Sequence, residues 1–418
     1  MNGKKPNKKK IINDPVYGFI NISYELVFDL IEHPFFQRLR RIKQLGLTNL
    51  VYPAANHTRF QHALGAAHLM ELSINVIRNK SHEITNKEAE AVITAILLHD
   101  IGHGPFSHAL EDIIIKGIDH EDISLLMMEY LNKEFNGRLT TAIQIYKNQY
   151  PKKFLHQLVS SQLDMDRLDY LRRDSFFTGV IEGAIGSDRI IKMLNVLDDE
   201  LVVDAKGIYS IEKFLIARRL MYWQVYLHKT VIAAENLVVL ILKRAKELTN
   251  KGEKLFAPPD FHFFLHQNIN KDELMKSANN RELILQKFAA LDDNDVIASA
   301  KAWTNHQDKV LSRLCQNLSN RNLFKVTIQN KPFDKKMIEQ AREQIMQTYG
   351  ITKKESGYFV FSDSISNNAY TIGNDLIKIL FNNNKLVDIA EASDTLNIAV
   401  LSKLVKKYFL CYPKGIII

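Results

Sequence analysis

LLHDIGHGPFSHALE, Leu97 to Glu111, places three histidines and one aspartate within ten residues, at the point where an apolar helix ends. The residues before it, Ala89 to Leu98, form the longest apolar stretch of the chain, interrupted at Glu90 and Thr94, and Gly102 and Gly104-Pro105 break the helix behind His99-Asp100. Burying two polar side chains at a helix end costs free energy unless a partner satisfies them. A metal ion is such a partner, because neutral imidazole and carboxylate ligate Zn, Mn, Fe or Mg according to geometry. The competing reading, one histidine capping the helix and Asp100 taking its proton, suits a lone histidine better than His-Asp followed by Gly-His-Gly-Pro-Phe-Ser-His.

Such a site needs ligands from elsewhere, and two segments offer them. In HTRFQHALG, Arg59 and His62 are three residues apart and share one helix face. In DMDRLDYLRRD, Asp164 to Asp174, helical spacing recurs at Asp166, Tyr170 and Arg173 or Asp174. Taken alone, that segment reads as a solvated helix laced with i,i+4 ion pairs. Beside a His, His-Asp site that lacks a fourth ligand, it reads as the source of one.

Outward from these segments the periodicity is helical, with only 17 Gly and 10 Pro in 418 residues to punctuate it, so the fold is expected to be mainly α. Tyr24 to Leu45 carries a helical stripe interrupted at Pro34. Further helices are expected over Arg59 to Asn79, Thr85 to Asp100, Ser107 to about Lys116, Glu121 to Phe135, Phe154 to Arg173 and Ser210 to about Asn250. Strand signals are few: ELVVDAKGIYS, Glu200 to Ser210, reads as a hairpin around Lys-Gly, and Phe324 to Gln329 and Gly357 to Ser362 read as single strands. Lys251 to Asn270 reads as a connection packed on the core. The division is a basic tail over 1–10, a core with an N-terminal interface segment over 11–250, and an α+β region over 251–418.

Composition narrows the function classes. The 55 basic and 47 acidic residues give a net charge of +8, and five lysines fall in the first ten residues. That run reads as a solvated tail rather than a nucleic-acid arm, while the basic balance suits an anionic substrate. Two cysteines make no disulfide framework, and the expected setting is cytoplasmic. No apolar run approaches the ~20 residues of a membrane span, and MNGKKPNKKK has no apolar segment of a secretory signal.

His62, His99-Asp100 and Asp166 match the H, HD, D signature of the HD-domain metallophosphohydrolases. The surrounding words INDPVYGFI (Ile12 to Ile20), HPFFQRLRRIKQLG (His33 to Gly46), HTRFQHALG, HDIGHGPFSH, DMDRLDYLRRD and ARRLMYWQVYLHKTV (Ala217 to Val231) resemble the deoxynucleoside triphosphate triphosphohydrolases, the dGTPase-like branch of that superfamily. The resemblance implies a helical HD core that cleaves a dNTP to deoxynucleoside and intact inorganic triphosphate. By the same resemblance His62, His99, Asp100 and Asp166 hold one divalent ion (Mn, Fe, Zn, Ni or Mg), with Mg on the substrate phosphates. His103, His108 and His120 surround the α-phosphate, with His108 as general acid, and Glu111 stands where the family has an aspartate that orients such a histidine. Arg59, Arg167 (a lysine in relatives), Arg218 and Lys229 supply positive charge, which phosphoryl transfer needs around its equatorial oxygens. Gln44 and Leu45 pack the sugar edge and reject a 2′-hydroxyl, with Tyr170, Asp174, Tyr226 and His228 opposite.

The resemblance also implies an activator site for a guanine nucleotide at an interface of a homo-oligomer, dimer or tetramer. Asn13, Glu32, Gln37 and Arg40 match its base-reading positions, with Glu32 for the family's aspartate; Arg189 and Lys206 remain beside Asp204, which replaces an interface arginine. A carboxylate suits the guanine N1 and N2 edge and an arginine suits O6. A surface ion pair of Glu32 with Arg40 is the plainer account. Two other functions stay open: another HD phosphohydrolase, either a nucleotidase or a phosphodiesterase, and a nucleotide-sensing or nucleic-acid-binding protein that keeps the HD site as a receptor. Nucleic acid is not favoured as a partner, and no membrane is expected.

Overall fold

A computed structural model describes residues 10–371, 373, 376–394 and 402–417, apart from the side chains of His108 and Asp112. The basic tail over 1–9 lies outside the described residues. The fold is mainly α. Its centre is the Asn86–Leu98 helix, opened by a reciprocal cap in which Thr85 and Glu88 bond each other's backbone N–H groups. From Ala91 to Leu98 every residue is buried, as expected of a helix that is apolar all round. The Arg59–Asn79 helix packs on it, with Gln61 accepting the Thr58 N–H at 2.8 Å. The Met165–Thr178 helix packs on the Arg59–Asn79 helix in turn, so the three segments that carry HTRFQH, HD and DMDRLDYLRRD meet in one layer.

Several helices stop earlier than periodicity suggests. Phe154 to Arg173 is two helices, Lys153–Val159 and Met165–Thr178, because buried Asp164 accepts the N–H groups of Ser161 at 2.9 Å and Arg167 at 2.8 Å and so starts the second afresh. Ser210 to Asn250 is also divided: Ile208–Met221 runs into a π turn, Tyr222–Tyr226, and an extended His228 caps Lys229–Asn250. Ser107 to Lys116 is a 3₁₀ turn, Ser107–Leu110, followed by one α turn, Glu111–Ile114. Tyr24 to Leu45 is Glu25–Glu32, then Pro34–Gln37, then a 3₁₀ turn. Lys251 to Asn270 contains a further helix, Pro259–His266.

Among the described residues, nine strands form three small sheets. An N-terminal hairpin pairs β1 (Lys10–Asp14) with β2 (Gly18–Ile22). The expected hairpin over Glu200 to Ser210 is corrected: β3 (Leu194–Leu197) pairs with β4 (Glu200–Asp204) around Asp198-Asp199, both at positive φ, while Lys206-Gly207 lies in a 3₁₀ turn. A three-stranded antiparallel sheet joins β5 (Lys325–Gln329), where a strand was expected, to β9 (Val405–Tyr412) and β6 (Phe361–Asn367), which begins four residues later than the Gly357 start. Strands β7 (Lys378–Leu380) and β8 (Leu386–Asp388) extend the β3–β4 pair, with β7 parallel to β4. The 251–418 region thus shares a sheet with the core. No single described helix is long and apolar enough to cross a membrane.

Candidate active site

The Asn86–Leu98 helix ends at His99, whose Nδ1 hydrogen-bonds the Ile96 carbonyl at 2.5 Å and so turns Nε2 inward. His62, on the second turn of its helix, faces the same point: its Nε2 lies 3.4 Å from His99 Nε2, 3.1 Å from Asp166 Oδ1 and 3.7 Å from Asp100 Oδ2. Ligand atoms of His62, His99 and Asp166 all fall within 4.8 Å of one another. Two imidazoles with their outer nitrogens already engaged and their Nε2 atoms converging on two carboxylates fit a metal, since an outer partner normally fixes the tautomer of a ligating histidine. Burial opposes ionisation of Asp166, but hydrogen bonds from His62 and His99 outweigh it and hold the carboxyl well below its ordinary value. Burial likewise disfavours charge on His62, and its bonds to Asp166 and Asp169 overcome that, raising it to about 10.

Beside this cluster lies a second. His103 stacks on His120 with ring centroids 3.9 Å apart, and Asp100, His103 and His120 also bring ligand atoms within 4.8 Å of one another. Glu111 Oε1 is 2.8 Å from His120 Nδ1 and 3.8 Å from His103 Nδ1. Burial and the Arg59 guanidinium drive the His103 pKa well below its ordinary value despite Asp100. His120 is also disfavoured as a cation by burial, yet the bond to Glu111 raises it. The two stacked imidazoles are therefore shifted in opposite directions, the separation of proton affinities that acid–base work requires. The backbone of His108 lies in the Ser107–Leu110 turn; its side chain lies outside the described residues.

A cavity of about 450 Å³ opens over Asp100, His103, His120 and Asp166, and most of the remaining expected residues line it: Gln44, Leu45, Arg59, Arg167, Tyr170, Asp174, Arg218 and Tyr226. The cations are braced. Arg59 pairs with Asp100 and donates to Ser107 Oγ at 2.7 and 2.9 Å, Arg167 pairs with Asp164, and Arg218 donates to the Ala369 carbonyl at 3.3 Å. Tyr226 donates to Asp174 Oδ2 at 2.7 Å, whose other oxygen meets His57 Nε2 at 2.7 Å. Gln44 presents a buried side-chain oxygen with no hydrogen-bond partner among the described residues.

Two expected residues are elsewhere. His228 and Lys229 line a separate cleft with Trp223, Leu227 and Ile328. The activator positions fall in two groups. In one, Glu32 pairs with Lys10 at 2.6 Å, Arg40 donates to Gln37 Oε1 at 2.8 Å and stacks over Phe60, and Asn13 sits in β1 opposite Phe19. The plainer Glu32–Arg40 ion pair is therefore absent among the described residues. In the other, Arg189 donates to the Lys206 carbonyl at 3.2 Å, and Asp204 pairs with Lys80 at 2.7 Å.

Residue patterns missed the layer behind the metal site. His62 Nδ1 meets Asp169 Oδ2 at 2.7 Å, Asp169 takes two bonds from Arg173 at 2.9 and 3.0 Å, and Arg173 reaches Asp14 at 2.7 Å. The available signal was Asp169 standing three residues after Asp166 and four before Arg173, a second acid on the same helix. Glu235, another lining residue, gave no local signal at all.

A helical core that brings two histidines and two aspartates to one point, beside a cavity lined with arginine, defines a metal-dependent hydrolase of the HD class. An HD domain model matches residues 59–174, and an HD associated region matches 185–284. The uncharacterized protein YwfO of Bacillus subtilis is 31% identical over all of this chain and 94% of its own length. A deoxynucleoside triphosphate triphosphohydrolase SAMHD1 homolog of Dictyostelium discoideum is 28% identical over 76% of this chain and 59% of its own. Among solved structures, a phosphohydrolase of Bacteroides thetaiotaomicron superposes with a TM-score of 0.93 at 57% identity, over 97% of this chain and 100% of that one. The chain belongs to the HD-domain family related to the deoxynucleoside triphosphate triphosphohydrolases.

Proposed function

We propose that the protein hydrolyses dNTPs to deoxynucleoside and inorganic triphosphate, with one divalent metal held by His62, His99, Asp100 and Asp166. The observation that carries this reading is one cavity holding HD donors at its floor, Arg59, Arg167 and Arg218 in its wall, and Gln44, Leu45, Tyr170 and Tyr226 around a space of about 450 Å³. When bound, the metal supplies Lewis acidity at the α-phosphate and a water of lowered pKa. The arginines bind the phosphate chain, and their ties to Asp164, Asp100 and Ala369 fix them in advance, so little reorganisation accompanies charge development. His120, paired with Glu111, faces the reacting oxygens together with the stacked His103, and His108 passes a proton to the leaving 5′ oxygen. Gln44 offers its buried side-chain oxygen to the sugar, and Leu45 presents an apolar surface to a 2′-hydroxyl.

The decisive experiment is ion-exchange separation of the products from each dNTP with metal added. Deoxynucleoside with whole triphosphate is the expected result. Nucleoside monophosphate with pyrophosphate, or diphosphate with phosphate, reassigns the enzyme to another HD reaction.

The same reading includes activation by a guanine nucleotide at a subunit interface. It is favoured by the outward face of the N-terminal hairpin, where apolar Ile11 and Phe19 are 61% and 67% exposed and Asn13 stands opposite Phe19, and by the exposure of Glu32 and Arg40.

A further inference from the structure

Two loops frame the substrate cavity without belonging to any long element. One is Lys43 to Gly46, which carries Gln44 and Leu45; the other is Gly104 to Ser107, which leads into His108. Phe106 and Ser107 both have left-handed backbones, at φ 54 and 52, a conformation that strains an L-residue and persists only where the surroundings enforce it.

The enforcing group comes from the far half of the chain. Asp293, 6% exposed at the start of the Asp293–Ala302 helix, accepts the Lys43 N–H on Oδ2 and the Phe106 N–H on Oδ1, each at 2.9 Å. An acid in the first helical turn ordinarily serves the helix dipole. Here both oxygens turn instead to backbone donors of two other segments, and the neighbouring Asp292 caps the helix. The turn before it is anchored as well. Buried Arg38 donates to the Leu291 carbonyl at 3.2 Å and to the carbonyls of Ile101 and His103 at 2.7 and 2.8 Å, while Arg41 pairs with Asp292. Leu291-Asp292-Asp293 is thus pinned to the HD loop and to the segment preceding Gln44.

We propose that Asp293 is a positioning residue, whose carboxylate ties the Lys43–Gly46 and Gly104–Ser107 loops together and so sets the width of the cavity at its sugar edge. The inference rests on the proposed function insofar as that cavity takes a dNTP. It gives the 251–418 region a role in the reaction, with no contact to substrate or metal. A single carboxylate can bridge two N–H donors; an amide offers one acceptor oxygen and turns its own N–H₂ toward the other donor.

The test uses the full chain as wild type, Asp293→Ala, Asp293→Asn and Asp293→Glu, measured for backbone amide exchange, bound metal and steady-state kinetics. Asp293→Ala is expected to speed exchange at Lys43 and Phe106 at least tenfold and to raise KM for a dNTP at least tenfold. Metal content and the protection of the Arg59–Asn79 and Asn86–Leu98 helices should stay at wild-type levels. Asp293→Asn should release one of the two amides, and Asp293→Glu should recover part of both effects. Unchanged exchange at both amides, or an unchanged KM, overturns the proposal. So does a general loss of protection and metal, which would make Asp293 a fold-stability residue. Exchange is read without turnover, so a wild-type protein that left every dNTP intact would refute the proposed reaction while the exchange comparison still decided the clamp.

Discussion

His62 is held from both sides, and the outer side is the one that can be altered without touching a ligand. Its Nδ1 bond to Asp169 fixes the ring, and Asp169 is itself gripped by Arg173. Outer partners of this kind typically change metal affinity by about 10- to 100-fold. Asp169→Asn should therefore weaken binding in a metal titration by that order, with activity largely regained at saturating metal; an unaltered affinity would mean that packing alone orients His62. Glu235 gives a second prediction. Burial pushes its carboxyl up to about 7, and among the described residues no hydrogen bond or ion pair holds it. The folded state therefore prefers the neutral acid, so its contribution is fully present below the ordinary carboxylate pKa of about 4.3 and is lost as pH rises through about 7. Glu235→Gln stays neutral throughout, so its melting temperature should gain on wild type between pH 5 and 8 at fixed ionic strength, and parallel melting curves would refute the assignment. His62, His99, Asp100 and Asp166 were legible because each stands at a break or on a helical repeat; Glu235 was not, because what distinguishes it is the cavity it faces.

At the level of elements, close approach is made by glycine. A Cβ on Gly65 would overlap the carboxylate of Asp169 and the guanidinium of Arg173, and one on Gly102 would overlap the backbone of His120 and Ser124. Overpacking of this kind costs typically 1–3 kcal/mol. The two sites should differ: side chains can yield at Gly65, whereas backbone cannot at Gly102. Gly102→Ala is therefore expected to lower the denaturation midpoint more than Gly65→Ala, while Gly65→Ala should disturb metal affinity through Asp169. Equal midpoints would show that the His120 helix shifts freely. The helix expected from about Arg59 to Asn79 forms over Arg59–Asn79. The breaks at Ser160 to Asp164 and at Tyr222 to His228 were not legible, since a side chain that captures backbone N–H groups leaves periodicity undisturbed. The β3–β4 turn was misplaced for a related reason: Lys206-Gly207 is the stronger turn signal in sequence, yet Asp198 and Asp199 adopt the positive φ that a two-residue hairpin needs.

For the molecule as a whole, the N-terminal segment is the part whose arrangement within one chain leaves most to explain. Ile11 and Phe19 point outward from the β1–β2 hairpin, yet the opposite side of that hairpin reaches the catalytic layer, since Asp14 holds Arg173 and through it Asp169 and His62. A ligand or second subunit that orders the outer face would act on the same short segment that steadies His62. Such coupling requires differential binding to the assembled and unassembled states. Glu32 and Arg40 have modest partners, an exposed Lys10 and a neighbouring Gln37, which a guanine base could replace at little cost. With dGTP or GTP added, sedimentation should shift toward a dimer or tetramer and dATP hydrolysis should rise severalfold; Arg40→Ala should abolish both responses while leaving the basal rate and bound metal in place. If mass and rate ignore guanine nucleotide, the hairpin serves packing alone and Asp14 steadies Arg173 without reporting any ligand. If mass responds and rate does not, assembly and the His62–Asp169–Arg173–Asp14 chain are uncoupled, and the activator reading fails at the link between them.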